Sequence, residues 1–452
     1  MFIIIARFYG PKGFGQFSVA FTVANLCIIV ADFGFDVLIT SEVAKKKNEV
    51  LTLARKYFSL KIVLAIIGSI LTIIISTILT FSSETKILIY TLTLYVLFTT
   101  LTNFFYALFR GLDKFEYETI NSFCSNLLLL FTLALIGLIN LPLFYVVLTF
   151  IAARLVGVLL GLSKSKSLLG DTILHLNYVD WKLSINSILI FGLTFLFGNL
   201  LFQLDTLLLG IWKGDVAAGL YQAAFRIMLF FLLVPDLLVG AFLPVMSKLF
   251  VDDFNRWKNY SRILYKFLLF SAIPISLILF YMPAQIITLL YGKQNFSEAE
   301  TVLQIFSAII LIRFTVEPLG LMLTTSNRQF IRMSLVILAT ILSFFINALV
   351  IPIYGLNGAA LVSLGINLIV GLGYIFFNYD TFLSWNIETP TIAILIYAIL
   401  FSIFIWFFKN YFILVFVMLS VYLLLVLIFG FSKEERKLIL SGFQIKQIGI
   451  FK

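Results

Sequence analysis

The sequence predicts an all-α polytopic membrane protein, and three observations support this fold class. Hydrophobic residues make up 62% of the 452 residues and charged residues 12%, whereas a soluble globular protein has about 25% charged residues. Phe alone occurs 50 times, which is typical of a surface that faces lipid. The apolar runs are long and unbroken, which excludes an outer-membrane barrel built from alternating strands of about ten residues.

A transmembrane helix needs about 20 mostly apolar residues, and thirteen segments of the chain meet this condition. A shorter apolar stub at 2–9 precedes them and is counted as a first, incomplete helix. The predicted spans are 14–39, 57–81, 87–109, 119–140, 142–162, 183–212, 216–247, 263–290, 299–323, 328–350, 356–378, 390–408 and 411–430.

The basic residues of the loops predict the orientation. One face of the membrane carries 21 of the 32 Lys and Arg residues, the other face carries six, and five lie within spans. Basic loops stay on the cytoplasmic side. The sequence therefore predicts a multi-pass protein of the plasma (inner) membrane with the loop 41–56 and the C-terminus in the cytoplasm. Because this orientation signal accounts for most of the net charge of +10, we expect no nucleic-acid partner.

An internal repeat appears when the chain is shifted by 204 residues. Gly10 then falls on Gly214, Gly15 on Gly219 and Asp32 on Asp236. The offset equals six helices, so both halves have the same orientation, as in parallel-repeat transporters. The repeat predicts an N-terminal lobe at 1–181, a C-terminal lobe at 182–378, and a further helix pair with a cytoplasmic tail at 379–452.

The repeat also predicts that the first helix is truncated in this sequence. The predicted helix that begins near Leu183 has a counterpart that would begin about 22 residues before Met1, by the same offset. The alternative is a short re-entrant N-terminus.

Several classes of site are not expected. The longest polar stretches are about 20 residues, too short for a soluble catalytic domain. The glycine-rich segment 10–15 is followed by Gln16 and Phe17, where a phosphate-binding loop has Lys and Ser/Thr. Cys27 and Cys124 lie in apolar runs, and the single His175 lies in a polar loop. We therefore expect no catalytic residues, no metal and no cofactor.

Three arginines lie inside predicted spans, where a charge costs several kcal/mol and usually marks a pathway. The side chains of three arginines begin roughly 15–21 Å below the outer ends of their helices; they are Arg154, Arg226 and Arg313. This common depth predicts one layer of positive charge that could bind an anion. The alternative is that each arginine pairs with a carboxylate or extends along a bundle interface. Lys61 and Lys266 lie near cytoplasmic ends and are expected to snorkel.

Five acidic residues are candidates for coupling or gating. Glu317 lies one helical turn from Arg313 and can pair with it. Asp205 lies toward the outer end of its predicted span, and Asp32, Asp36 and Asp236 lie near inner ends. For Asp32 and Asp236 the alternative is an interfacial position at the end of the helix.

Motifs along nearly the whole chain resemble a known family. They include Ala-Arg-Phe-Tyr-Gly-Pro-Lys-Gly-Phe-Gly (6–15), Ala-Asp-Phe-Gly-Phe (31–35), Ser-Glu-Val-Ala (41–44), Leu-Asp-Thr-Leu-Leu-Leu-Gly (204–210), Gly-Leu-Tyr-Gln-Ala-Ala-Phe-Arg (219–226), Pro244 and Ile-Pro-Ile-Tyr-Gly-Leu-Asn-Gly-Ala-Ala (351–360). In this order they resemble the polysaccharide transporters and O-antigen flippases of the multidrug/oligosaccharidyl-lipid/polysaccharide exporter superfamily.

The resemblance implies a flippase that moves a polyprenyl-phosphate-linked glycan between leaflets, with the lipid bilayer and glycan assembly enzymes as partners. Three arginines in one layer suit the phosphate of such a substrate. One alternative is a cation-coupled small-molecule exporter of the same superfamily, which would favour an acidic cavity. The other is a polyprenyl-linked polymerase or ligase, which would need a large outer loop.

Overall fold

A computed structural model describes residues 1–46, 49–171, 173, 185–292, 296–431 and 435–436. These residues are almost entirely helical. The helices are α1 Phe2–Asp32, α2 Phe35–Lys45, α3 Val50–Ile78, α4 Ser83–Gly111, α5 Phe115–Ile139, α6 Leu143–Leu169, α7 Ile185–Trp212, α8 Gly214–Asp252, α9 Phe254–Tyr281, α10 Pro283–Tyr291, α11 Ala299–Thr325, α12 Gln329–Phe377, α13 Tyr379–Ile387, α14 Thr389–Phe408 and α15 Phe412–Phe429. The predicted loop residue His175 lies outside the described residues.

Helices dominate because a segment in lipid must satisfy its backbone hydrogen bonds internally. Ten helical segments of the described chain are long and apolar enough to cross a membrane, and 196–212 and 413–429 are shorter apolar helices. The prediction of an all-α polytopic membrane protein is confirmed. The count of thirteen spans stays a prediction.

Glycine and proline set the helix breaks that differ from the predicted spans. The segment predicted as one helix at 14–39 is interrupted at Phe33 and Gly34, both with positive φ. The predicted span 263–290 breaks before Pro283, because proline suits the first turn of a new helix. Gly355 bends α12 with φ 56°, close to the gap predicted between 328–350 and 356–378.

The described chain forms two compact units. The first contains Met1–Ala223, Leu290–Phe296 and Thr340–Ala359, and the second contains the remaining segments. The predicted lobe boundaries at 181 and 378 stay predictions.

In the first unit, α1 packs against α3, α4 and α7, and α4 packs against α6. A buried aromatic core joins α3 to α4 through Tyr57, Phe58, Phe104, Phe105 and Phe109. In the second unit, α9 packs against α11 and α14, and α14 packs against α15. Each unit therefore has its own set of packed helices.

A symmetric contact inside the first unit supports the predicted repeat. Gly10 and Gly214 both have positive φ, at 63° and 81°. A Cβ atom at Gly15 would lie 1.7 Å from the carbonyl oxygen of Asp215, and one at Gly219 would lie 2.0 Å from the carbonyl oxygen of Pro11. Because Asp215 is the counterpart of Pro11 at the offset of 204, the two backbones contact each other reciprocally.

Candidate functional site

The first charged cluster is centred on Lys61 of α3. Its Nζ atom donates to Asp32 Oδ1 at 2.6 Å and to Asp36 Oδ1 at 2.7 Å, and its side chain is completely buried. Asn103 Nδ2 donates to Asp32 Oδ2 at 2.7 Å. The break at Phe33 and Gly34 lets the chain present carboxylates from both α1 and α2 to one lysine.

Two candidates for coupling, Asp32 and Asp36, are thus brought together by the fold. The expectation that Lys61 snorkels is wrong, because no part of its side chain is exposed. Sequence reasoning missed this pairing, although one signal was available: Lys61 lies eleven residues beyond Val50, about three turns into its helix.

A second charged cluster surrounds Lys266 of α9. Its Nζ lies 3.0 Å from Glu388 and 3.4 Å from Glu435, and Arg262 lies 3.0 Å from Glu388 and 3.8 Å from Glu435. Burial of the Glu388 carboxyl raises its pKa, but the hydrogen bonds from Lys266 and Arg262 outweigh burial and hold that pKa below its ordinary value. Lys266 is 2% exposed, so the expectation that it snorkels is also wrong.

Asp205 is held by hydrogen bonds within the first unit. The Tyr221 hydroxyl donates to one carboxylate oxygen, and Asn347 Nδ2 donates to the other at 2.7 Å. The next residue along, Thr206, accepts a hydrogen bond of 2.6 Å from Gln222. The role of Asp205 in coupling or gating stays a prediction.

Arg154 of α6 lies in a different environment. Its guanidinium carbon lies 5.8 Å from the centroid of the Tyr95 ring, close enough for a cation–π interaction. The Tyr95 ring packs against Phe21 and Phe150, with centroids 5.5 and 6.1 Å away. Among the described residues, no carboxylate forms an ion pair with Arg154, which is half-buried.

The remaining predicted residues belong to the second unit. Glu317 of α11 accepts a hydrogen bond of 2.6 Å from Arg332 of α12, and Arg332 also donates to Thr324 at 3.0 Å. Asp236 of α8 lies within electrostatic range of Glu317, Arg313 and Arg332. Arg332 lies in the first turn of α12, and sequence reasoning missed it as the partner of Glu317.

Arg226 is half-buried on α8, next to Phe225, whose ring packs against Phe306 at 6.3 Å. Arg154 belongs to the first unit, whereas Arg226 and Arg313 belong to the second. The single layer of three arginines stays a prediction. No group of three or more metal-ligating side chains is found in the described part of the chain.

Comparison with known proteins now places the chain. A family model described as "Polysaccharide biosynthesis protein" matches residues 1–250. The chain belongs to the polysaccharide biosynthesis protein family. A search of curated proteins finds no match.

Solved structures show that this member of the polysaccharide biosynthesis family shares its fold with transporters. The structure titled "Lipid II flippase MurJ, inward closed conformation" is 15% identical, with a TM-score of 0.69 over 97% of this chain and 96% of that chain. An inward-facing multidrug resistance MATE family transporter of the MOP superfamily is 13% identical, with a TM-score of 0.67 over 85% of this chain and 94% of that chain. A MOP superfamily transporter from Pyrococcus furiosus is 13% identical, with a TM-score of 0.57 over 86% and 91%.

Proposed function

We propose that this protein is a flippase that moves a polyprenyl-phosphate-linked oligosaccharide or polysaccharide repeat unit from the inner to the outer leaflet by alternating access. The family is one of polysaccharide biosynthesis, and the fold is shared with a lipid II flippase and with multidrug transporters. A lipid-linked sugar phosphate combines an apolar tail with an anionic head, so its carrier needs a cation inside the membrane.

The observation that carries this proposal is the state of Arg154. Three other cations of the described helices, Lys61, Lys266 and Arg332, are each bound to a carboxylate. Arg154 instead rests on an aromatic ring and has no ion pair among the described residues. A guanidinium that rests on an aromatic ring without a carboxylate keeps its positive charge, and its planar N–H groups can donate two hydrogen bonds to a phosphate group.

Arg226 and Arg313 are proposed as further substrate-binding residues on the sequence argument that places a charge inside their spans. The inside-negative membrane potential favours outward movement of an anion by about 2.3 kcal/mol per charge per 100 mV. Transport of this kind needs no nucleotide and no covalent step, so the protein is not an enzyme.

The proposal includes the plasma membrane as location and a cytoplasmic C-terminus, because 21 basic residues lie on that side of the predicted topology. The cytoplasmic face is also where glycan assembly enzymes would deliver the substrate. The partners are therefore the bilayer, the lipid-linked glycan and those enzymes.

The test is deletion of the gene, identification of the lipid-linked glycan that accumulates, and complementation with variants. We expect Arg154→Ala to weaken export roughly tenfold to a hundredfold, because a hydrogen bond to a charged group contributes about 1.5–3 kcal/mol. Arg154→Lys should restore part of the activity. Arg110→Ala is the matched control, because Arg110 pairs with Glu118 at 2.5 Å and is 46% exposed.

Two results would contradict the proposal. Export at the wild-type level by Arg154→Ala, with equal amounts of protein in the membrane, would refute the role of Arg154 in binding the anion. A deletion strain that becomes drug-sensitive and accumulates no lipid-linked glycan would instead identify a small-molecule exporter.

A further inference from the structure

We propose that Gln203 of α7 and Asn25 of α1 form a neutral subsite that hydrogen-bonds hydroxyl groups of the glycan, and that Thr22 orients the Gln203 amide. The subsite rests on the proposed flippase function, in which Arg154 binds the phosphate, and adds residues that bind the sugar. All four residues belong to the first unit.

The Gln203 amide is held by a hydrogen bond between two helices. The Thr22 hydroxyl of α1 donates to Gln203 Oε1 at 3.1 Å. Thr22 is completely buried, and among the described residues its side chain forms no other hydrogen bond. Because a buried hydroxyl requires an acceptor, this contact fixes which end of the amide faces α1. The Nε2 atom, with its two N–H groups, lies at the other end.

The Nε2 atom of Gln203 can donate to a ligand. Gln203 is half-buried, and in the described part of the chain its Nε2 atom donates no hydrogen bond. An amide without a partner in apolar surroundings is costly, and the sequence of α7 is mostly apolar. A ligand oxygen that accepts from Nε2 removes this cost.

Asn25 contributes a second amide on the same side of α1. It lies three residues after Thr22, and positions i and i+3 are neighbours on one face of a helix. Asn25 is half-buried, and its side chain forms no hydrogen bond to any other described residue. Because α1 packs against α7, two amides with unused hydrogen-bonding groups lie on neighbouring helices.

The depth of the subsite agrees with the depth predicted for the arginines. Gln203 lies nine residues before Trp212, the end of α7, which is about 14 Å along the helix. At the offset of 204, Thr22 is the counterpart of Arg226, one of the three arginines of the predicted layer. The amides are therefore inside the apolar region and close to the level of the anion site.

One short segment of α1 connects the amides to Arg154. Phe21 immediately precedes Thr22, and its ring lies 5.5 Å from the ring of Tyr95. The guanidinium of Arg154 lies 5.8 Å from the same Tyr95 ring. The cation and the two amides are thus linked by contacts within the first unit.

The chemistry of the two amides suits a sugar, whereas that of Arg154 suits a phosphate. An amide has both donors and an acceptor, and a sugar hydroxyl also donates and accepts, so the two groups satisfy each other. A charged phosphate presents acceptor oxygens, which a guanidinium binds best. In a lipid-linked glycan the first sugar is bonded to the phosphate, so a phosphate on Arg154 keeps that sugar near the amides.

The experiment compares the binding of two probes to the purified full-length protein in detergent by native mass spectrometry. One probe is the glycolipid extracted from the deletion strain, and the other is polyprenyl phosphate of the same chain length, which has no sugar. We expect Gln203→Met and Asn25→Ala each to weaken binding of the glycolipid about twofold to tenfold, the effect of one neutral hydrogen bond. Both variants should bind polyprenyl phosphate as the wild type does, whereas Arg154→Ala should weaken both probes.

Thr22→Val tests the orienting role, because valine has nearly the same shape and no hydroxyl. It should weaken glycolipid binding in the wild type but have no further effect in Gln203→Met, since the two residues act through one contact. Gln304→Met is the matched control, because Gln304 Nε2 already donates to the carbonyl oxygen of Phe280 at 3.1 Å. If Gln203→Met does not fold, Gln203→Ala serves for the same comparison.

The proposal is overturned if the Gln203 and Asn25 variants bind the glycolipid like the wild type, or if they weaken polyprenyl phosphate to the same extent. Either result, together with weaker binding of both probes by Arg154→Ala, leaves the flippase proposal intact. A deletion strain that accumulates no glycolipid would contradict the flippase and, with it, the subsite.

Discussion

The two buried lysines, one in each unit, use the same kind of contact for different purposes. Lys61 alone holds two carboxylates that lie on either side of the break between α1 and α2. Lys266 shares its two carboxylates with Arg262, and those carboxylates come from the start of α14 and from the segment after α15. The first contact stabilises a helix break, and the second connects α9 to the C-terminal helices.

The number of cations makes the first cluster more vulnerable than the second. Removing Lys61 leaves two carboxylates with no other cation in ion-pair distance among the described residues. Removing Lys266 leaves Arg262 beside both glutamates. Four sets of experiments test this difference, from the largest expected effect to the smallest.

The largest effect is expected for Lys61→Ala. The substitution leaves uncompensated carboxylates, one of them buried, and breaking a buried pair in this way costs about 3–5 kcal/mol. The measurement is the free energy or midpoint of unfolding in detergent, with Lys45→Ala as control, because Lys45 forms a surface pair with Glu42 and is 65% exposed. Equal stability of both variants would refute the structural role of Lys61.

A smaller effect, about 1–3 kcal/mol, is expected for Lys266→Ala, because Arg262 continues to neutralise Glu388 and Glu435. Arg262→Ala should have a similar effect. The double variant should lose more stability than the sum of the two single variants, since residues that share partners couple by about 0.5–3 kcal/mol. Strict additivity would show that the two cations act independently.

Asp36→Asn should cost about 1 kcal/mol, because the side chain of Asp36 is 27% exposed and Lys61 keeps its contact with Asp32. Asp32→Asn should cost more than Asp36→Asn, since Asp32 also binds Asn103. The comparison of the two unfolding midpoints ranks the two carboxylates. The reverse order would mean that Asp36 is the main partner of Lys61.

The smallest effect is expected from acid on the Lys266 cluster. The pKa of Glu388 is lowered from its ordinary value of 4.5, because its hydrogen bonds to Lys266 and Arg262 outweigh the burial that raises it. A lowered pKa contributes stability above the unfolded value and loses it as the pH falls through the folded value. The difference in unfolding midpoint between wild type and Glu388→Gln should therefore shrink below about pH 4.5. A difference that stays constant into stronger acid would contradict this.

The sequence was sufficient to predict what depends on composition and periodicity. Length and hydrophobicity of the runs predicted an all-α polytopic protein, and the glycines at 10 and 355 lie where the structure bends. The repeat also predicted that positions 15 and 219 correspond, and the structure brings their backbones together.

The partners of the charges could not be predicted, because they depend on which helices are neighbours. Lys61 and Asp32 are 29 residues apart and Lys266 and Glu435 are 169 residues apart. The i, i+4 rule predicted Arg313 as a partner of Glu317, whereas the ion pair in the structure is with Arg332 of the following helix. A rule that considers one helix cannot identify a partner on the next helix.

The reciprocal contact of Gly15 and Gly219 has a consequence for how the two halves of the chain evolve. After a duplication, each copy normally accumulates substitutions on its own, and the likeness between copies fades. At this contact a side chain added to either copy would collide with the backbone of the other. Neither glycine can then be replaced alone, so the two copies of the predicted repeat are constrained together at this contact.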